Sequence, residues 1–230
     1  MKKLTWGIAL FPLMATAAAV NFLPEKVPVH YNAAGEIDNW GSRNFAFIFP
    51  LIILIFTAIF EFVAIRMDTN AYQDETAEQR AKQNAKVLRR LMPWIIGAMC
   101  ALQIVMLIKM CADSHADISN MPIDGMRIYA FIFGLLFIPI GNMVSKTRRN
   151  GLIGFRVSWT LYNDITWQKS NFFGGVCLML VGVFTMISTA FVSGIATMLL
   201  MVAYLTAAVV VMLIYAKRVY ESEKAKEENK

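Results

Sequence analysis

Six apolar runs alternate with polar segments along the chain, at residues 4–22, 45–65, 91–112, 126–144, 172–191 and 196–216. Each is long enough to cross a hydrocarbon layer, which takes about 17–25 residues. Inside such a layer the backbone N–H and C=O groups must pair within the segment, so runs of this length predict α-helices. The expected fold class is all-α: a polytopic integral membrane protein with six transmembrane helices. Composition agrees, because 57% of the 230 residues are hydrophobic and 17% are charged, too apolar a balance for a water-soluble domain of this size.

The charges lie between the runs and set an orientation. Counted by side, 18 of the 22 Lys and Arg fall on one side; the other 4, Lys26, Arg43, Lys109 and Arg127, fall on the opposite one. Short loops rich in Lys and Arg stay in the cytoplasm. Both termini are therefore expected to be cytoplasmic, with 23–44 and 113–125 facing outward. The formal net charge of +6 belongs to loops beside anionic headgroups, so the lipid bilayer is the expected partner and direct nucleic-acid contact is not expected. Lys2, Lys3, a short apolar core and the small residues from Ala15 to Ala19 also fit a cleavable secretory signal. A retained helix is the preferred reading, because five more runs follow it.

Four units result: a first helical hairpin, 1–66, with outward loop 23–44; a cytoplasmic helical linker, 67–90; a four-helix region, 91–216, with cytoplasmic loop 141–175; and a charged tail, 217–230. In the linker Ala77, Ala81, Ala85 and Leu88 share a helical face and Glu78 precedes Lys82 by four residues, which predicts that the third helix extends into the cytoplasm. The tail is expected to be solvated or frayed. Residues 192–195 alone join the last two runs, which predicts a tight antiparallel hairpin. Pro12, Pro50, Pro93 and Pro139 predict kinks, and Ala15/Ala19, Gly97/Ala101 and Ala203/Ala207 offer close helix contacts.

Two polar segments hold more chemistry than a connection needs. The outward loop combines Pro28, His30, Asn32, Gly35, Asp38 and Trp40, a composition suited to a compact turn-rich loop that could recognise a ligand. Interfacial anchoring by Tyr31 and Trp40 is the plainer alternative. The cytoplasmic loop carries Asn142, Lys146, Arg148, Asn150, Gly154, Arg156, Trp159, Thr160, Trp167 and Lys169. It predicts a specific turn followed by a short helix capped near Ser158 or Thr160, with Trp159, Asn163 and Trp167 along one face. Headgroup contact by Arg148, Arg149 and Arg156 is the alternative there.

Within the runs, Glu61, Lys109 and Gln103 are the polar residues to explain; Glu61 and Lys109 lie near run ends, where pairing with Arg66 or headgroups and snorkelling account for them. His30 with Asp38, or His115 with Asp113 and Asp117, lacks a metal-ligand spacing, and Cys100, Cys111 and Cys177 lack C-x-x-C spacing, so no metal or cofactor is expected. No nucleophile elbow or phosphate-binding loop suggests a catalyst either.

The two polar segments resemble the SdpI (SdpI/YfhL) family of bacterial immunity proteins. The cytoplasmic loop matches that family's pattern at Gly141, Asn142, Lys146, Arg148, Asn150, Ile153, Gly154, Arg156, Trp159, Thr160, Trp167, Lys169 and Gly174. From Leu23 to Trp40 the outward loop is similar to a domain of unknown function found at the start of such proteins. The resemblance implies a polytopic protein of the bacterial plasma membrane that protects its producer against a secreted, membrane-active peptide toxin, and a non-enzymatic role is expected. For some members it also implies holding a transcriptional repressor at the cytoplasmic face. The alternative from the residues themselves is a small transporter or exporter with Glu61, Gln103 and Asn142 along a polar route. A membrane enzyme is least supported, since His30 and Asp38 are on the side opposite the Asn/Arg cluster.

Overall fold

The computed structural model describes residues 2–32, 36–70, 74–114 and 124–229. It contains helices α1 (Lys2–Ala19), α2 (Ile48–Thr69), α3 (Glu75–Ser114), α4 (Gly125–Val144), α5 (Asp164–Phe191) and α6 (Ile195–Glu228). All six are long and apolar enough to cross a membrane. Between α1 and α2 the chain adds strands β1 (Lys26–Tyr31) and β2 (Ile37–Ser42), paired antiparallel with Val27 opposite Gly41 and Pro28 opposite Trp40. The segment between α1 and α2 thus contributes a pair of strands, and the other described elements are helical. Val27 and Val29 seat it on Leu23, Ala46, Leu107 and Met110, and Gly41 makes room, since a Cβ there would lie 2.8 Å from Val29.

Helices α1, α2 and α3 pack around Ala9, Ile53, Ile96 and Cys100. In lipid this packing depends on close fit rather than on removing apolar surface from water. The closest fit joins α4 to α5. Gly134 faces Gly182 and Gly141 faces Gly175, each pair meeting backbone to backbone. A Cβ on Gly134 would lie 2.9 Å from the Gly182 carbonyl oxygen, and one on Gly182 would lie 2.5 Å from that of Gly134. The small-residue pairs spaced by four are not these contacts: Gly97 has open space around it, and Ala203 and Ala207 are exposed. α6 turns Leu199, Val202, Val209 and Val210 outward, as suits a lipid-facing helix.

α3 has 40 residues, about 60 Å at 1.5 Å per residue, roughly twice the hydrocarbon thickness. Residues 75–90 of the linker and the third run are thus one element, with the expected Glu78–Lys82 pair at 2.5 Å on its surface. The tail departs from expectation, because α6 continues without a break to Glu228. The turn between α5 and α6 is as tight as expected. Gly194 adopts φ +62° there and donates its N–H to Asp124 Oδ2 at 2.7 Å, while Asp124 Oδ1 caps α4 by accepting from Arg127 N at 3.0 Å.

Candidate functional site

The loop between α4 and α5 is built around buried polar side chains that close on its own backbone. Asn150 Oδ1 accepts from the N–H groups of Leu152 and Ile153, both at 2.7 Å, and its Nδ2 donates to the carbonyls of Arg148 and Ile153. Thr160, fully buried, donates to the Phe155 and Val157 carbonyls and accepts from Val157 N. Asn171, also fully buried, accepts from Phe155 N at 2.7 Å and donates to the carbonyls of Phe155 and Trp167. Trp167 lies beneath the loop with its indole N–H on the Thr147 carbonyl at 3.0 Å. Gly154 crosses these two side chains at φ +123°, and a Cβ there would lie 2.6 Å from Asn171 Oδ1 and 2.9 Å from Trp167.

The helix that follows begins later than the sequence suggested. Asn163 is the N-cap, its Oδ1 accepting from Thr166 N while the Thr166 hydroxyl accepts from Asn163 N. Thr160 cannot cap because its hydroxyl is committed within the loop, and Trp159 lies in a turn before the helix. Trp159, Asn163 and Trp167 therefore do not form one helical face.

Three neighbours hold this loop. From α3, Asn84, fully buried, accepts from Arg148 N at 2.9 Å and donates to Arg148 O at 3.2 Å, and Arg80 pairs with Asp164. Arg149 reaches Asp164 at 3.2 Å and the Tyr162 carbonyl at 3.0 Å. From α6, Glu223 takes hydrogen bonds from Lys226 at 2.9 Å and Lys169 at 3.1 Å, which hold its carboxyl below the ordinary carboxylate range. Tyr162 donates to Glu227 at 2.5 Å; that bond, with some burial, pushes the phenol up to about 12. Neither Asn84 nor Glu223 stood out in the sequence.

Lys146, Arg148 and Arg156 point outward. Arg156 is exposed and forms no hydrogen bond or ion pair with the described residues. Lys146, Arg148 and Lys169 share a cavity of about 530 Å³ between the start of α5, the end of α4 and Tyr215 of α6. Asn142, half-buried in the last turn of α4, lends its carbonyl to Ser145.

At the opposite end, Tyr31 anchors the hairpin to α3. Its hydroxyl donates to Asp113 at 2.8 Å, and its ring lies beneath the Lys109 ammonium, 4.5 Å from the ring centre. Burial first, then Asp113, holds the Tyr31 phenol well above its ordinary range. Lys109 pairs with Asp113 at 2.8 Å rather than reaching away from the protein. On the exposed face His30 pairs with Asp38 at 2.6 Å, and Asn32 exchanges side-chain and backbone bonds with Glu36. Pro28 is buried, and Trp40 borders a pocket of about 440 Å³ with Glu25, Lys26 and Arg43. Gly35, His115 and Asp117 lie outside the described residues, among which no three His, Cys, Asp or Glu gather as metal ligands.

The intramembrane polar residues separate. Gln103, fully buried, donates to Thr16 Oγ1 and the Ala46 carbonyl, both at 3.1 Å. Glu61 pairs with Lys2 at 3.4 Å, not with Arg66. Ala46 and Glu61 are 15 residues apart along the second span, about 20 Å. Gln103 thus stitches α1 to the hairpin end of α2, while Glu61 meets α1 at the other end.

Comparison with known proteins adds to this geometry. Residues 7–54, which take in most of α1, the hairpin and the start of α2, match the model of a domain of unknown function, DUF1648. Residues 146–216, the loop with α5 and most of α6, match the SdpI/YfhL protein family. The chain is 22% identical over 215 residues to the immunity protein SdpI of Bacillus subtilis (strain 168), covering 93% of each chain. No solved structure matches it. Together with the six apolar helices, these similarities identify a multi-pass cell-membrane protein in which a region matching DUF1648 precedes one matching the SdpI/YfhL family.

Proposed function

We propose that this chain is a non-enzymatic immunity protein that protects its cell against a secreted, membrane-active peptide toxin. The observation that carries the reading is its similarity, along 93% of both chains, to a protein named for immunity. The uneven distribution of Lys and Arg places both termini and the α4–α5 loop in the cytoplasm and the hairpin outside. The exposed hairpin face, His30, Asn32 and Asp38 with Trp40 beside them, is then available to a toxin. The uncommitted cations of the loop, Arg156 foremost, face a cytoplasmic partner such as a repressor. α3 joins the two: its outer end holds the hairpin through Asp113 and Lys109, and its inner end holds the loop through Asn84 and Arg80. A toxin favouring one arrangement of this helix would shift the loop by linkage.

The test is survival of a sensitive bacterium expressing the chain and challenged with membrane-active peptide toxins, comparing wild type with Arg156→Ala at matched membrane levels. Arg156 holds nothing in place, so its loss spares the fold. Protection by wild type and not by Arg156→Ala is expected. No protection by wild type against any such toxin overturns the immunity reading, and equal protection by both removes the loop's arginine from it.

A further inference from the structure

We infer that the cavity bounded by Lys146, Arg148, Lys169, Phe172 and Tyr215 binds the phosphate headgroup of an anionic membrane lipid. Its lining has three cations and no carboxylate. The Lys146 ammonium has no partner among the described residues. Arg148 commits only its Nε, to Gln83 Oε1 at 3.0 Å, which leaves the terminal Nη1 and Nη2 edge of its guanidinium uncommitted. That planar edge suits two oxygens of one phosphate. Lys169 is the partly neutralised member, through Glu223.

The depth of the cavity selects a lipid over a soluble phosphate. Phe172 opens the apolar run 172–191 and is 62% exposed, and Tyr215 closes the run 196–216. Both therefore lie where hydrocarbon gives way to headgroups, the level aromatic side chains favour. Tyr215 is held there by stacking on Phe173, ring centres 4.1 Å apart. The cavity thus has a basic rim on the water side and an aromatic wall on the acyl side. A free phosphate uses the rim alone; a phosphodiester lipid uses both.

The test uses the full-length protein purified in a neutral detergent and titrated with dioctanoyl phosphatidylglycerol, dioctanoyl phosphatidylcholine or inorganic phosphate, with bound ligand counted by native mass spectrometry. One saturable phosphatidylglycerol site is expected, with much weaker binding of the other two. The Lys146→Gln/Arg148→Gln double variant should bind phosphatidylglycerol about 25-fold more weakly, from about fivefold per contact. Lys217→Gln/Lys224→Gln, with the same charge change elsewhere on the same end, should stay within twofold of wild type. The charge-retaining variant Lys146→Arg, which leaves the Arg148 fork in place, should stay within about threefold of wild type. Equal weakening in both neutral pairs means general surface attraction and overturns the inference, as does a loss of binding in Lys146→Arg as large as in the neutral double variant. Inorganic phosphate binding as tightly as phosphatidylglycerol overturns the lipid assignment. Toxin protection is not needed for this result, so the inference and the immunity reading can fail separately.

Discussion

Replacing Asn84 by Ala tests how firmly α3 holds the α4–α5 loop. The Asn84 carboxamide is fully buried and makes both of its bonds to one residue, accepting from Arg148 N at 2.9 Å and donating to Arg148 O at 3.2 Å. In Asn84→Ala the Arg148 carbonyl keeps the Asn150 amide at 2.6 Å, whereas the Arg148 N–H loses its acceptor. A net hydrogen bond contributes about 0.5–1.5 kcal/mol, and an orphaned buried group costs about 1–3 kcal/mol. Arg148 is exposed as a residue, so water relieves part of that cost and the sum comes to about 1–3 kcal/mol. That is about 5- to 150-fold in the opening equilibrium of the loop. Hydrogen exchange in lipid nanodiscs reads it directly: the Arg148 amide should exchange faster by that factor while amides in the middle of α5 do not change. Adding Asn150→Ala should cost more than the sum of the single changes, because only the double variant strips both donors from the Arg148 carbonyl. An Arg148 amide that exchanges within twofold of wild type in Asn84→Ala would refute the clasp.

Other outcomes follow from the same accounting. Gly134→Ala and Gly182→Ala each force α4 and α5 apart, at a cost of about 1–3 kcal/mol of overpacking, and should lower the unfolding midpoint in detergent; Gly7→Ala and Gly97→Ala, whose Cβ atoms would meet nothing within 4 Å, should not. Tyr31→Phe keeps the ring under Lys109 and loses only the bond to Asp113, about 1.5–3 kcal/mol for a charged acceptor, so the β1 amides should exchange faster and unchanged rates would remove Tyr31 as the anchor. Glu223 has a folded pKa depressed by Lys226 and Lys169, so its contribution is complete above the carboxylate's ordinary 4.5 and is lost as pH falls through the lower folded value. Amide exchange in the last turns of α6, corrected for intrinsic rates, should accelerate across that window in wild type and stay flat in Glu223→Gln.

The six helices are legible in the sequence because each depends only on a long apolar run. The hairpin was less so. Val27, Val29 and Tyr31 alternate as a strand requires, but Pro28 argues against a strand and 37–42 carries no alternation. In a two-stranded sheet both strands are edges, where Pro is tolerated, and the register shifts directly after Pro28. The helix contacts depended on spacing. Gly134 with Gly141, and Gly175 with Gly182, recur every seven residues, two turns apart, and meet with constant register between antiparallel helices. A search at four-residue spacing passes over them and finds Ala203 and Ala207, which face lipid. The tail reads as charged and therefore solvated, yet its Lys217–Glu221 and Lys224–Glu228 pairs are spaced for a helix, and Glu223 and Glu227 attach it to α5 and the loop.

The loop itself shows what residue type alone leaves unresolved. Its conspicuous residues were chosen together for being polar, aromatic or glycine, but they divide into two physical kinds. Asn150, Gly154, Thr160 and Trp167 are consumed by the loop's own backbone, each atom matched to a carbonyl, an amide or a packed ring. Buried polar groups must be so matched, and the two asparagines that complete the loop, Asn84 on α3 and Asn171 on α5, stand 64 and 16 residues from Arg148 and Phe155, whose backbone they bond, with no local pattern to mark them. Lys146, Arg148 and Arg156 keep most of their donors outward. A substitution in the first group removes the shape of the loop, and every property that depends on shape falls with it. A substitution in the second removes a contact and leaves the shape, which is why Arg156 and Lys146, rather than Trp167 or Asn150, are the positions at which recognition can be measured apart from folding.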